Sequence, residues 1–385
     1  MARLSFAQLT DFLRSTARVL WMELRLLHWR GARTWLALET VGSVLLALLL
    51  AELFHMNDRW WVAISAYVVM RADWQTAFSR ALQRMAGTLG GALVAALVAP
   101  WVVQSMLLYS LSLAVVAGVG VYRALGSTRS YGWLLAAVTA LLVLADTLHD
   151  AQVYRIALLR TADVAVGTLS SLSVAGLVQL GRHYARGALS KPMASAATPS
   201  AAASSIDRRL STVRRLRAVH ALQGAITIAL LAALDFHGHF RDFPQILVTI
   251  AVVLVIPLES LVRQEDNQRA VALRMANRTL GCLLAAACAF TLLPLIGDQP
   301  LAFLLCLSAG IWLAAHVQAG NPTTSYIGTQ FGIAFLMVFV QDQLWSAQLG
   351  PAALRLLGIL CGVLSLGLVM LGFAGLRQRL NRGAG

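Results

Sequence analysis

Long apolar runs dominate this chain, and they constrain its fold more than any other feature. An α-helix needs about twenty apolar residues to cross the ~30 Å hydrocarbon layer of a bilayer. Runs of this kind recur at 35–56, 60–75, 85–103, 105–122, 131–148 and 155–180, then at 218–235, 243–261, 279–296, 301–318, 325–341 and 352–375. Lipid offers no water to pair with backbone N–H and C=O groups, so segments of this length must be helical. The expected fold is therefore all-α, a polytopic membrane protein of about 12 transmembrane helices. The second and eighth runs are the weakest. Trp60 to Met70 is short for a span, and Pro257 interrupts the eighth, so both are expected to be tilted or broken.

Composition agrees. Hydrophobic residues make up 58% and charged residues 12%, with a mean hydropathy of +0.71, too few charges to keep a soluble surface wet. A formal charge of +14 points to nucleic acid on a soluble protein, but no basic stretch here carries a nucleic-acid-binding fold. The arginines instead collect on alternate loops: Arg3 to Arg33, Arg71, Arg80, Arg84, Arg123, Arg129, Arg263 to Arg278 and Arg377 to Arg382. Arginine-rich loops stay in the cytoplasm. Both termini are expected there, with the protein in a bacterial inner membrane.

The organisation expected is an amphipathic interfacial helix over 1–34 and a six-helix membrane repeat over 35–180. A flexible cytoplasmic linker over 181–217, a second six-helix repeat over 218–375 and a basic cytoplasmic tail over 376–385 follow. Arg14, Arg18 and Arg25 break the first apolar run, so a helix lying in the interface is expected there rather than a signal peptide. The linker contains a stretch of small residues, Ala194 to Ser205, with little surface to bury.

The halves echo each other. Asp146-x-Leu148-x-x-Ala151-Gln152 precedes Arg160, and Asp342-x-Leu344-x-x-Ala347-Gln348 precedes Arg355. The same shift of 194 to 196 residues relates Arg84 to Arg278 and Tyr131 to Tyr326. Six spans per half is an even number, so the repeats are expected to be parallel. Arg-x-x-Gly recurs as Arg84 to Gly87, Arg278 to Gly281 and Arg355 to Gly358, which places arginine and glycine on one helix face. Arg84 and Arg278 then have two readings: they bind substrate, or they snorkel to the interface as anchors.

At these residues the chain resembles a known family. Trp60-Trp61-Val-Ala-Ile-Ser followed by Arg80-x-x-x-Arg84-x-x-Gly87-Thr88-x-x-Gly91 is similar to the signature of the fusaric acid resistance (FUSC) and aromatic acid exporter proteins. Arg274-x-x-x-Arg278-Thr279-Leu-Gly281 echoes it. The resemblance implies an inner-membrane efflux protein for aromatic or other organic carboxylates, driven by the proton gradient. Plant malate-activated anion channels are distantly similar.

Ionisable groups within spans are costly and are usually functional or paired. Arg160 and Asp163 can pair along one helix face, while Arg355 has Gly358 at the corresponding position. A guanidinium held in lipid can bind a carboxylate through two parallel hydrogen bonds. The expected substrate-binding set is Arg160, Arg355, Arg84 and Arg278, with Arg160 and Arg355 facing each other across a pseudo-twofold axis. Asp163 and Glu39 are the proton-coupling candidates. Trp60, Trp61, Trp101 and Trp345 read as an interfacial belt. Tyr131 and Tyr326 read as packing residues or as the wall of an aromatic pocket. His237 and His239, with Asp235 and Asp242, read as a polar outer loop, and Cys282, Cys288, Cys306 and Cys361 as small apolar residues. No metal, cofactor or catalytic cluster is expected, and so no enzyme. The leading function is a proton-coupled exporter of small organic anions. A passive anion channel and a non-transporting scaffold are the alternatives. Partners are the anion and the bilayer, with a homo-oligomer and a periplasmic adaptor left open.

Overall fold

The structure, a computed structural model, describes residues 6–25, 31–102, 104–148, 152–186, 206–240, 243–256, 267–297, 299–341 and 349–383. Thirteen helices and no strand occur among the described residues: α1 (Phe6–Arg25), α2 (Ala32–Leu53), α3 (Arg59–Val69), α4 (Trp74–Val102), α5 (Met106–Ala124), α6 (Ser130–Asp146), α7 (Val153–Arg186), α8 (Ile206–Gly238), α9 (Phe243–Leu254), α10 (Asn267–Ile296), α11 (Pro300–Gln318), α12 (Pro322–Phe339) and α13 (Gly350–Gly383). Eight are long and apolar enough to cross a bilayer: α2, α4, α5, α7, α8, α10, α11 and α13. The all-helical, polytopic reading holds at this level.

The twelve expected spans divide into these eight and four shorter helices. The two weakest runs became α3 and α9, with 11 and 12 residues. At 1.5 Å per residue these reach only about 17 Å, far short of a bilayer. Short helices survive at membrane depth only when protein surrounds them, and every residue from Val62 to Val69 is buried. An arginine meets the unwinding end of each. Arg71 donates to the Met70 carbonyl at 2.5 Å, and Arg274 Nε donates to the Val252 carbonyl at 3.3 Å.

Helix also occupies ground read as linker and tail. α7 continues to Arg186, α8 begins at Ile206, and α13 runs to Gly383. Arginine, leucine and alanine favour helix, so nothing stops these helices at the membrane surface. Residues 187–205, with most of the expected linker, lie outside the described residues.

Two apolar cores form, and each draws on both parts of the chain. One joins α4, α5 and α6 to α8 and α9, and the other joins α2 and α3 to α10, α11 and α12. Glycines set the closest approaches. A Cβ on Gly87 would lie 2.4 Å from the Gly132 carbonyl oxygen, and one on Gly91 2.2 Å from that of Ala136, so α4 lies backbone to backbone on α6. Gly281 does the same for α10 on α12, where a Cβ would lie 2.8 Å from the Ile327 carbonyl oxygen. Gly87 and Gly281 of the Arg-x-x-Gly elements are thus packing residues, and their contacts bring Arg84 and Arg278, one turn earlier, against the facing helices.

Candidate functional site

α3 measures out the site. Around it lies a central chamber of about 720 Å³, walled by α2, α3, α4, α6 and α7 from the first part of the chain and by α9 to α13 from the second. Seven arginines line it: Arg71, Arg80, Arg84, Arg160, Arg274, Arg278 and Arg355. Among the described lining residues there is no carboxylate.

The arginines follow α3 in tiers. Near its start, Trp60 and Trp61 stack with ring centroids 4.9 Å apart. The Arg160 guanidinium lies 5.7 Å from the Trp60 ring and 5.6 Å from that of Trp61, and Arg355 lies 4.8 Å from Trp60. Arg160 and Arg355 therefore converge on one indole. About one turn along α3, Ser65 accepts from Arg84 at 2.7 Å. Arg71 marks the far end, about 15 Å from Trp60 by helical rise.

Arg84 and Arg278 are each only 3% exposed, so neither snorkels. Both are held by neutral oxygens. Arg84 donates to Ser65 Oγ and, at 3.0 Å, to the Tyr131 hydroxyl. Arg278 donates to Gln330 Oε1 and, at 3.1 Å, to Thr249 Oγ1. Neutral acceptors fix a guanidinium without cancelling its charge. Four residues earlier on the same helix faces, Arg80 lies 4.8 Å over the Tyr131 ring and Arg274 lies 4.2 Å over that of Tyr326. Like charges around one chamber repel one another, so this lining favours an anion between its walls.

Several expectations change. The carboxylates that meet Arg160 are Asp58, at 3.2 Å, and Asp146, at 3.5 Å, rather than its own-helix neighbour Asp163. A long side chain reaches across to the ends of α3 and α6 more readily than it folds back along α7. Asp163 is 2% exposed, and one of its oxygens has no hydrogen-bond partner among the described residues. Glu39 is buried and pairs with Arg182 near the end of α7, outside the chamber lining. Trp60 and Trp61 line the chamber instead of forming a belt, whereas Trp101 is 66% exposed, as a belt residue would be. Trp345 and Asp242 lie outside the described residues. Asp235 is buried and accepts from the Tyr109 hydroxyl at 3.0 Å, and among the described residues no metal-holding group of His, Cys, Asp and Glu occurs.

The sequence reading left Arg71, Arg80 and Arg274 out of the site. The last two stood in view at the fourth position before Arg84 and Arg278, hence on the same helix faces. Ser65 stood in view only as the last letter of the Trp60-Trp61 motif, and nothing in the sequence pointed to Thr249 or Gln330.

A helical, polytopic assembly around a cationic chamber defines a membrane protein of transporter type. Residues 46–174 match the model of the FUSC_2 family, described as fusaric acid resistance protein-like. This stretch carries α3 and three of the lining arginines that follow it, Arg71, Arg80 and Arg84, together with Arg160. No curated protein and no solved structure matches the chain.

Proposed function

We propose that this protein exports small organic anions, aromatic carboxylates foremost, across a bacterial inner membrane, without chemically converting them. The observation that carries the reading is a chamber lined by seven arginines and, among the described residues, by no carboxylate. A carboxylate takes two hydrogen bonds from one guanidinium, and an aromatic ring finds a flat partner in Trp60. The tiers along α3 offer successive charges, so an anion passes from Arg84 and Arg278 to Arg160 and Arg355 without crossing an uncharged gap. In this reading the two parts of the chain are parallel repeats, both termini lie in the cytoplasm, and the outer end is the Trp60 end. Asp163, within electrostatic reach of Arg160 and Asp58, is the better proton carrier, since Glu39 is tied to Arg182 away from the chamber.

A passive anion channel is the second reading, favoured by the lack of a titratable carboxylate among the described lining residues. Benzoate flux into proteoliposomes separates the two: an exporter needs a pH gradient, and a channel carries current without one. In either case Arg355→Gln should abolish flux while leaving reconstitution intact. Wild-type flux in that variant would remove the anion site.

A further inference from the structure

A polar depression of about 450 Å³ opens at the start of α4, beside the connection from α5 to α6. Ser79, Gln83, Thr128 and Ser130 line it, with Arg80 and Tyr131 at its floor. Arg80 and Tyr131 also line the central chamber. One guanidinium stacked on one phenol ring, 4.8 Å apart, thus stands between the two spaces.

The two members of this stack differ in freedom. Tyr131 is pinned, because its hydroxyl accepts from Arg84 at 3.0 Å. Arg80 makes no hydrogen bond or ion pair among the described residues. Its counterpart Arg274 stacks on Tyr326 and is also tethered through Nε to the Val252 carbonyl. Arg71, a like charge, lies within electrostatic reach of Arg80. Asp73 also lines the depression and stays charged, its carboxylate fixed by the Thr76 N–H at 2.8 Å and the Thr76 hydroxyl at 2.6 Å, so it opposes tight holding of an anion there. The remaining lining is neutral and hydrogen-bonding, able to replace hydration water without holding an anion tightly.

We infer that this depression is the loading site for organic carboxylates, and that Arg80 is the arm that swings each one past Tyr131 into the chamber. The inference rests on the transport reading above. Arg80 is here a positioning residue that sets the rate of entry, while the inner arginines set affinity.

Stopped-flow binding of benzoate to the purified full-length protein, followed through tryptophan fluorescence, tests it. Arg80→Gln should slow association and dissociation together, each at least tenfold, and shift Kd less than threefold. Arg80→Lys should restore most of the rate. Arg129→Gln, which removes an exposed charge near the same helix ends, should leave rates within twofold. In a background with the four cysteines changed to serine, Ser79→Cys should react with an anionic thiol reagent, and benzoate should slow that reaction. Unchanged association in Arg80→Gln, or a Kd weakened as much as association slows, overturns the loading role while leaving the chamber assignment standing. A wild-type protein that neither binds benzoate nor is altered by Arg278→Gln overturns the transport reading and this inference with it.

Discussion

Two neighbouring glycines in α4 should respond in opposite directions to the same substitution. Gly90 has open space around it, and nothing lies within 4 Å of a Cβ built there. Gly91 faces α6, and its Cβ would sit 2.2 Å from the Ala136 carbonyl oxygen and 3.0 Å from Thr139 Cβ. Gly90→Ala removes backbone freedom from the unfolded chain without a clash and should stabilise by about 0.5–1 kcal/mol. Gly91→Ala must open the first of those gaps from 2.2 Å to at least 3.0 Å, so α4 and α6 must part by roughly 0.8 Å. A gap of that size forfeits about a quarter to a half of each van der Waals contact along the seam. Overpacking of this kind costs about 1–3 kcal/mol. The two variants should therefore differ by roughly 1.5–4 kcal/mol. The same parting stretches the bond from Arg84 to Tyr131 from 3.0 Å beyond useful range, so benzoate affinity should fall with stability in Gly91→Ala alone. Equilibrium unfolding in mixed micelles, read by tryptophan fluorescence, measures both variants. Gly91→Ala as stable as Gly90→Ala would mean that α4 and α6 are not in backbone contact, and the placement of Arg84 would lose its basis.

Two further predictions concern elements around the chamber. Gly126 leaves room for the Arg217 guanidinium, which donates to the Tyr122 carbonyl at 2.8 and 3.2 Å and stacks on the Tyr122 ring at 4.3 Å. A Cβ on Gly126 would lie 1.8 Å from that guanidinium, so Gly126→Ala should displace it and cost about 1–2 kcal/mol. Arg217→Ala should cost a similar amount and the double variant little more, and an additive double variant would refute the coupling. Before α4, hydrogen bonds from the Thr76 hydroxyl and then its N–H hold the Asp73 carboxyl below its usual range. That contribution is present above the unfolded value of 3.8 and is lost as pH falls through the lower folded value. Asp73→Ala should cost about 1 kcal/mol or less at neutral pH, and its gap from wild type in thermal unfolding should close in acid. A gap that persists at low pH would refute the capping role.

Hydropathy alone located the helices, because a period and a length are local properties. It even singled out the two shortest, α3 and α9, through the short run from Trp60 to Met70 and through Pro257. The same short run held an unused clue: a helix too short to cross must be enclosed by protein, so its tryptophans face inward rather than toward lipid headgroups. Charge inside a span drew attention to Arg160 and Arg355, and the recurring Arg-x-x-Gly to Arg84 and Arg278; all four line the chamber. Partners were beyond reach of such reasoning. Glu39 meets Arg182 across 143 positions, and Arg160 passes over Asp163 for Asp58 and Asp146, choices made by packing rather than by spacing. Arg80 and Arg274 were visible as motif letters, but only the depth of the chamber gives them a wall to occupy.

The two cores have a bearing on biogenesis. When the ribosome has delivered α1 to α7, α3 can pack on α2 and α7, but α2 and α3 still lack the helices α10 to α12 that complete their core. α4 to α6 likewise wait for α8 and α9. Neither portion can mature as a unit, so the nascent polypeptide must be held open until its last helices arrive. A gene cut between α7 and α8 should yield protein that survives proteolysis only when both pieces are made in the same cell.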